Sequence, residues 1–408
     1  MSESAPRLRH DLQFFPVQHG GQQLILIQDH FGLVQEGKAV PIPLYQLMIL
    51  LDGTKTIRDL QMDFMRRQGG VLVSSEEIAR IMRNLDESYL LESERFNKAK
   101  ERIIGDFTSQ KVRPCSHAGR GYPEKPEELE RRIEGILNSE PNVPAPDGNV
   151  AALIAPHIDL NVGYKVYSKA YRMLRGAHPS RIILLGVGHQ MTGGFFSLTQ
   201  KDFETPFGTV ENDIAVTNRL YEAGGDIIAD NDYSHRSEHS IEFQLLFLQH
   251  LFQGHFFRIV PILCGFDRSE LSEYSRSAFL EKTAPFLDVI KACLSDEGHE
   301  TLLIAGVDFS HTGPKFGHEM PATHMEPQSQ AHDRELLGHL CRLDADQYWE
   351  ASRRVEDRYN VCGFSAMACL LEVLPPCKGE LLDYQIWHEE PTRSAVSFAA
   401  VRFVKGLE

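Results

Sequence analysis

The amino-acid sequence predicts an α/β protein, with a largely parallel sheet covered by helices, preceded by a smaller unit. From about residue 150 onward, apolar runs of strand length alternate with helical patterns, as in parallel sheets whose strands are connected by helices. Charge separates the two parts. Residues 1–100 carry 12 basic and 13 acidic side chains, although the whole chain of 408 residues has a net charge of −15. Nearly all of the excess negative charge therefore lies in the second part.

Composition excludes several classes of protein. An acidic surface repels phosphate backbones, so we expect no nucleic-acid partner. The longest apolar runs, such as Val150–Ala155, are far shorter than the roughly 20 residues of a membrane helix. The first residues lack the apolar core of a signal peptide. Seven cysteines without a CxxC pair fit a reducing compartment. We therefore expect a cytoplasmic protein without a membrane span.

Residues 1–100 have the pattern of a small winged-helix-like domain. Leu24–Gln28 and Gly32–Gln35 predict a hairpin, because apolar strand formers flank the turn-like Asp29-His30. Tyr89–Leu91 is expected to close the domain as a strand. Three helical segments lie between them: Leu44–Leu51, a helix from the capping-box-like Thr56 to Met65, and a helix that Ser74 opens.

Part of this unit resembles the small domains related to PqqD peptide-binding proteins. The resemblance rests on D-G-x-x-T-I-x-D-L at Asp52–Leu60 and on L-D-E-x-Y-L-L at Leu85–Leu91. It implies a module that holds a peptide or a partner protein. A plain structural appendage is the alternative.

The second part begins after a polar linker, residues 101–112, and comprises residues 113–408. Its expected strands are Ala151–Ala155, Arg181–Val187, Phe257–Leu263, Thr301–Val307, Leu381–Trp387 and Ala395–Phe403. The carboxyl ends of parallel strands are where ligands bind. Histidines follow two of these strands, as His157 and His189, and Asp308-Phe-Ser-His311 follows a third. Cys264 ends a fourth. Side chains of this kind at one edge of a sheet indicate a shared site.

Two helix beginnings supply further candidates. Ser237-Glu-His-Ser-Ile-Glu242 opens a helix with Ser237 as the expected N-cap, which would let His239 and both glutamates face neighbouring space. Alternatively, the glutamates only complement the helix dipole. Cys362 precedes a helix in Asn360-Val-Cys-Gly363, where its thiol pKa would be lowered, unless it is a small buried core residue. Two imidazoles with a carboxylate suit Fe(II), and two imidazoles with a thiolate suit copper or zinc.

Together these segments resemble the Memo family, whose bacterial and archaeal members are called AmmeMemoRadiSam system protein B. The resemblance covers about residues 113–405 and preserves the order of its motifs. The motifs are H-A-G-R-G-Y-P at His117–Pro123, A-P-H at Ala155–His157, L-G-V-G-H at Leu185–His189, E-T-P-F-G at Glu204–Gly208, E-H-S-I-E at Glu238–Glu242, D-F-S-H at Asp308–His311 and N-V-C-G at Asn360–Gly363.

This resemblance implies a fold similar to that of class III extradiol dioxygenases. It places a transition metal, iron more readily than copper, on His157, His189 and Cys362. Asp308 and His239 then surround the metal, and His239 or His311 would supply acid/base help. The family implies metal-dependent redox activity, with a radical-SAM protein and an AMMECR-type protein as partners.

The sequence departs from the family pattern beside both histidines. Ile158-Asp159-Leu160 follows the first, where the family often has Ala-Gly-Tyr, and Gln190 follows the second, where it often has another His. The carboxylate of Asp159 could favour iron or hydrolytic chemistry. Two alternatives to a redox protein therefore stay open, a metallohydrolase that activates water beside Asp159 or Asp308, and a peptide-binding or partner-binding module.

Overall fold

The structure is a computed structural model that describes residues 4–140, 150–266 and 271–405. The chain forms two compact units, Met1–Ser109 and Gln110–Glu408. Most of the expected linker is helical, because a helix runs over Glu94–Thr108 and buries Phe96 and Phe107. Its polar composition concealed this pattern of widely spaced apolar residues.

The N-terminal unit has a three-stranded antiparallel sheet and four helices. In chain order these are β1 (Leu12–His19), β2 (Gln22–Asp29), β3 (Ala39–Pro41), α1 (Ile42–Met48), α2 (Ile57–Arg67), α3 (Ser75–Glu87) and α4 (Glu94–Thr108). The strand order is β1-β2-β3.

The predicted hairpin is wrong in one of its two strands. Leu24–Gln28 lies in β2, but β2 pairs with β1 across Gly20-Gly21, and both glycines have positive φ, as a tight two-residue hairpin turn requires. Gly32–Gln35 is a loop because the carboxylate of Asp29 accepts the backbone N–H groups of Phe31, Leu33 and Val34. The sequence signal that was missed is the Gly-Gly pair.

Helices α2 and α3 begin directly after the N-cap residues that the sequence predicts. Thr56 and Asp59 form a capping box at the start of α2, and the Ser74 side chain accepts from the backbone N–H of Glu77 at the start of α3. The expected closing strand at residues 89–91 is reduced to one bridge between Leu8 and Leu91.

The second unit is a mixed α/β structure. Its strands are β4 (Val112–Arg113), β5 (Val150–Ala155), β6 (Arg181–Val187), β7 (Phe196–Leu198), β8 (Asp202–Thr205), β9 (Gly208–Val210), β10 (Arg258–Cys264), β11 (Thr301–Gly306), β12 (His311–Thr312), β13 (Cys377–Glu389) and β14 (Ser394–Lys405). Its helices are α5 (Pro126–Leu137), α6 (Tyr164–Tyr171), α7 (Ile214–Gly224), α8 (His239–Leu251), α9 (Arg276–Leu294), α10 (Ala322–Cys341), α11 (Ala345–Val355) and α12 (Phe364–Val373).

The main sheet is parallel only at its centre. Its order is β12-β14-β5-β11-β6-β10-β7, with β13 paired to β14. The pairs β5–β11, β11–β6 and β6–β10 are parallel, whereas β7, β12, β13 and β14 pair antiparallel. All six expected strands are therefore present, but the last two form an antiparallel hairpin at the edge. A helix that was not expected, α11, follows α10.

Helices cover both faces of this sheet. Successive residues of a strand point to opposite faces, so Ala152 and Ile154 pack into one core, with α9 and α12, and Leu153 and Ala155 pack into another, with α5, α6 and α8. Strands buried on both faces are continuously apolar, which is why the sequence marked them clearly. Within the described ranges, no helix is long and apolar enough to cross a membrane.

Candidate metal centre

Three donor atoms converge at the carboxyl ends of the central strands. His157 follows β5, His189 follows β6, and Cys362 lies just before α12. One nitrogen of each imidazole and the thiol sulfur all lie within 4.8 Å of one another. The structure therefore brings the three predicted metal ligands together.

His157 is fixed so that its Nε2 is available as a ligand. Its Nδ1 donates to the carbonyl oxygen of Gly306 at 2.9 Å, and its backbone N–H donates to Asp308 Oδ1 at 3.1 Å. Its Nε2 lies 3.7 Å from Cys362 Sγ. Burial, with the charge of His189 second, lowers the pKa of His157 to about 4. The ring is therefore neutral near pH 7, as a metal ligand must be.

His189 is held by a carboxylate. Its Nδ1 donates to Glu238, whose two oxygens lie 3.0 and 3.1 Å away. Burial by itself would lower the pKa of His189, but the charge and hydrogen bond of Glu238 outweigh burial and raise this pKa above its ordinary value. The same contact, against the effect of burial, holds the pKa of Glu238 well below its usual range. The hydrogen bond to Glu238 uses Nδ1, so the Nε2 of His189 can serve as a ligand.

Cys362 is placed by the residues on either side of it. Asn360 adopts a positive φ, which Asn tolerates, and its amide donates to the carbonyl oxygens of His311 and Phe316. A Cβ on Gly363 would lie 2.5 Å from the Cβ of Val307, so only glycine allows the segment to pack against the end of β11. The N-V-C-G motif thus fixes the thiol at the site.

The thiol pKa differs from the sequence expectation. Burial, reinforced by the charge of Asp308, raises the pKa of Cys362 well above its usual value. The beginning of α12 therefore does not activate it, because desolvation is the stronger effect. The thiol donates to the backbone carbonyl of Asp308 at 3.4 Å. Metal binding would have to release this proton.

Asp308 and His311 lie on the D-F-S-H segment beside the donors. Asp308 Oδ2 is 3.6 Å from His157 Nε2, and burial raises the pKa of Asp308 to about 6. His311 Nδ1 donates to the carbonyl of Phe309 at 2.9 Å, and burial lowers the pKa of His311 to about 4. Ser310, between them, donates to the buried carboxylate of Asp333 at 2.6 Å, which anchors the segment.

His239 completes a triangle of imidazoles. Its ring centroid is 5.0 Å from that of His157 and 5.1 Å from that of His189, and His157 and His189 are 5.0 Å apart. Burial lowers the pKa of His239 to about 3, although Glu238 acts in the opposite direction. A neutral, partly buried imidazole beside the donors can accept a proton from a ligand.

The helix that carries His239 is attached to two strand ends. The Ser240 hydroxyl accepts from the backbone N–H of Val187 at the end of β6, at 3.0 Å. The Gln244 amide donates to the carbonyl of Pro156, next to His157, at 3.0 Å. The first turns of α8 therefore hold fixed positions relative to His157 and His189.

Three expectations about the surrounding residues are corrected. The N-cap of α8 is Glu238, not Ser237: the Glu238 carboxylate accepts from the backbone N–H of Ser240, whereas Ser237 donates to Gln190. Cys264 points into the core among apolar side chains. Asp159 is exposed, and its carboxylate accepts from the backbone N–H of Asn161 at 2.7 Å, so it stabilises a turn.

Glu242 does not face the site either. It is fully buried, with an ion pair to Arg113 and hydrogen bonds from Ser116, His117 and Tyr122. These residues belong to the start of the second unit, so Glu242 attaches that segment to α8. His117 thereby comes to 5.6 Å from His239, between ring centroids.

The sequence does not predict the contacts of two residues close to these histidines. From the sequence, Glu238 is expected to face neighbouring space or to complement the helix dipole, without a named partner, and His117 is only part of a motif. An available signal was that Glu238 directly precedes His239 at a helix beginning, where a carboxylate can cap the helix and also contact a histidine.

Comparisons with known proteins agree with this arrangement of motifs. A family model described as Memo-like protein matches residues 113–402. A MEMO1 family protein of Aquifex aeolicus is 32% identical over 409 residues, covering 97% of this chain and all of that protein. A MEMO1 family protein of Thermus thermophilus is 29% identical and covers 84% of this chain and 97% of its own length.

Other relatives are shorter. A MEMO1 family protein of Methanopyrus kandleri is 28% identical over 98% of its length but matches only 71% of this chain. Among solved structures, an uncharacterized protein from Escherichia coli K12 covers 63% of this chain and 100% of its own. Its identity of 15% and TM-score of 0.34 are too low to support a statement about the fold.

Proposed function

Because this chain belongs to the Memo family, we propose that its second unit is a metal-dependent redox protein with one ion on His157, His189 and Cys362. The observation that carries the proposal is the convergence of the three donor atoms within 4.8 Å. Both Nδ1 atoms are occupied by hydrogen bonds to Gly306 and Glu238, so the two Nε2 atoms are the ones left to bind an ion. The finer fold that we propose is the class III extradiol dioxygenase-like arrangement, supported by histidines at the carboxyl ends of β5 and β6, the two strands on either side of β11.

Iron is the proposed metal, ahead of copper. Asp308 supports this choice, since its carboxylate lies 3.6 Å from His157 Nε2, and two imidazoles with a carboxylate are typical of mononuclear Fe(II) sites. When bound, such an ion supplies one-electron exchange with a substrate. His239 is the residue proposed to hold or move a proton at its Nε2, the ring nitrogen that does not face Glu238. His311 is the second candidate, while Asp308 fixes the backbone of His157.

Metal analysis of untagged protein purified anaerobically tests the proposal. We expect about one iron per chain in the wild type and loss of it in His157→Ala and His189→Ala, with an unchanged circular dichroism spectrum. His311→Ala is the matched control and should keep the metal, since His311 is not among the three clustered donors. Stoichiometric metal in the double variant of both ligands would contradict the site.

Alkylation tests the role of Cys362 separately. Its thiol should resist iodoacetamide in the metal-loaded protein and react after chelation, as mapped by mass spectrometry. Cys377, which is also partly exposed but lies on β13, is the internal control and should react equally in both states. Equal and substantial labelling of Cys362 in both states, at a pH high enough to ionise the buried thiol, would remove it from the ligand set.

The metallohydrolase alternative has two forms, one that uses Asp159 and one that uses Asp308. A metallohydrolase that uses Asp159 has little support, because this side chain is exposed and caps a turn. Hydrolysis beside Asp308 remains distinguishable by experiment, since it consumes no O₂. Oxygen consumption by the iron-loaded protein with a candidate substrate supports the redox proposal, and turnover without oxidant or reductant supports hydrolysis.

We propose a separate partner-binding role for the N-terminal unit, with a winged-helix-like, PqqD-like fold. Strand β1 lies at an edge of its sheet, and edge strands can pair with an extended peptide. The proposed partner of this unit is a peptide or protein, namely a radical-SAM protein or its substrate, and an AMMECR-type protein is a proposed partner of the chain as a whole. Removing residues 1–109 should abolish co-purification with such a partner but leave metal binding intact, because no proposed ligand precedes His157. Loss of metal from the shortened chain would contradict this division.

A further inference from the structure

One buried carboxylate serves both imidazoles at the beginning of α8. Glu238 is 3% exposed, and its oxygens lie 3.0 and 3.1 Å from His189 Nδ1. Its Oε1 also lies 3.4 Å from His239 Nδ1. The rings of His189 and His239 are stacked, with an angle of 14° between their planes, so both Nδ1 atoms face the same carboxylate.

Glu238 is itself held in place. As the N-cap of α8, it accepts from the backbone N–H of Ser240 at 2.9 Å. The backbone N–H of His189 lies 3.4 Å from its Oε2. A carboxylate with backbone donors on two sides keeps its position whether or not an imidazole is present, so it can orient a ring instead of following it.

The two histidine ligands differ in how they are oriented. His157 donates through Nδ1 to a backbone carbonyl, that of Gly306, which no side-chain substitution removes. His189 donates to the side chain of Glu238. An imidazole whose Nδ1–H is bound to a carboxylate presents Nε2 as a stronger ligand.

We propose that Glu238 is a positioning residue: it fixes His189 in the Nδ1–H tautomer, presents Nε2 to the metal, and links this ligand to His239. The inference rests on the proposed metal site and deepens it. It assigns to the first Glu of the E-H-S-I-E segment a role that neither helix capping nor the dipole requires.

Two variants test what the Glu238 side chain contributes to the proposed metal site. Glu238→Ala removes both the acceptor and the cap, whereas Glu238→Gln keeps an oxygen acceptor but removes the charge. For anaerobic Fe(II) titrated in competition with a chromogenic chelator, we expect a 10- to 100-fold loss of affinity in the Ala variant and a smaller loss in the Gln variant. Wild-type affinity in both variants would overturn the proposal.

Glu242→Gln is the matched control. Glu242 is the other buried acid of the same helix, one turn further on, and it contacts Arg113 and not a ligand. This variant should lower the thermal midpoint of unfolding yet retain wild-type Fe(II) affinity in the folded protein. A loss of affinity as large as that of Glu238→Ala would mean that any disturbance of α8 weakens the site, and would overturn a specific role for Glu238.

A readout on metal-free protein separates this inference from the proposed function. With ¹⁵N-labelled histidine, the His189 signals, assigned by a His189→Gln variant, should report the Nδ1–H tautomer in the wild type. They should report a tautomer mixture in Glu238→Ala. Absence of Fe(II) binding by the wild type would contradict the proposed function, while an unchanged tautomer in Glu238→Ala would overturn the role of Glu238.

Discussion

The beginning of α8 carries two buried carboxylates, on its N-cap Glu238 and on Glu242, and they serve two different regions. Glu242 lies among Arg113 and the hydroxyl and backbone donors of the 113–122 segment. Glu238 lies among imidazoles. Both pKa values are held low in spite of burial, Glu242 by Arg113 and Glu238 by His189. The two carboxylates differ in role because their partners differ. The Arg113 guanidinium beside Glu242 has no lone pair to offer a metal, whereas the imidazoles beside Glu238 do.

The Glu242 region is therefore an anchor, and the Glu238 region is part of a site. The anchor has a complete set of donors: Arg113 also donates to the backbone carbonyls of His235 and Glu238. The site contains imidazole rings, and the Nδ1 atoms of His157 and His189 are bound to Gly306 and Glu238, which leaves their Nε2 atoms available. Substitution of Glu242 should lower the stability of the folded protein and leave metal binding unchanged. Substitution of Glu238 should weaken metal binding and change stability less.

The largest expected effect is on the anchor. Arg113→Met leaves the charge of Glu242 buried without its cation, and breaking a buried ion pair in this way costs about 3–5 kcal/mol. Urea unfolding of wild type and variant measures this change. A loss below about 1 kcal/mol would mean that the neutral donors suffice for Glu242.

A smaller effect is expected from one neutral donor of the anchor. The hydroxyl of Tyr122 donates to Glu242, and Tyr122→Phe removes a hydrogen bond to a charged group, worth about 1.5–3 kcal/mol. Urea unfolding measures it, with Tyr164→Phe as the control, since Tyr164 is exposed and should change stability by less than about 0.5 kcal/mol. Equal values for the two variants would contradict the importance of this contact.

Acid should weaken the anchor through Glu242. Its pKa is lowered in the folded state, so its stabilising contribution is complete above the unfolded value of about 4.3. This contribution is lost as the pH falls toward the folded pKa. Between pH 4 and pH 3, the wild type should lose up to about 1.4 kcal/mol more stability than Glu242→Gln. Parallel pH profiles in urea unfolding would show that the pKa of Glu242 is not lowered in the folded protein.

The same comparison explains what the sequence could predict. His157 and His189 follow continuously apolar strands, so their convergence at one edge of the sheet could be inferred without coordinates. The burial of Glu242 could not, because its partner Arg113 lies 129 residues away in the chain and helical periodicity gives only a face, not what covers it. Cys264 also ends a strand, but strand alternation directs its side chain into the core.

Local rules failed where a long-range contact or an unusual residue decided the structure. Ser237 is the more common type of N-cap, yet Glu238 takes that place while also contacting His189. The hairpin between β1 and β2 depends on the Gly20-Gly21 turn, whereas the alternative turn at Asp29 is occupied by backbone donors of the following loop. In both cases one carboxylate satisfies several donors, which residue type alone does not reveal.

The smallest effect is expected at a third carboxylate, Asp159, which belongs to neither region. It follows His157 by two residues in sequence, but it is exposed and accepts from the backbone N–H of Asn161. Asp159→Asn keeps this turn, because Asn forms the same side-chain contact, so stability should change by less than about 0.5 kcal/mol. Iron affinity should also be unchanged, as chelator competition would measure. A tenfold loss of affinity would place Asp159 at the metal and restore support for the hydrolytic alternative.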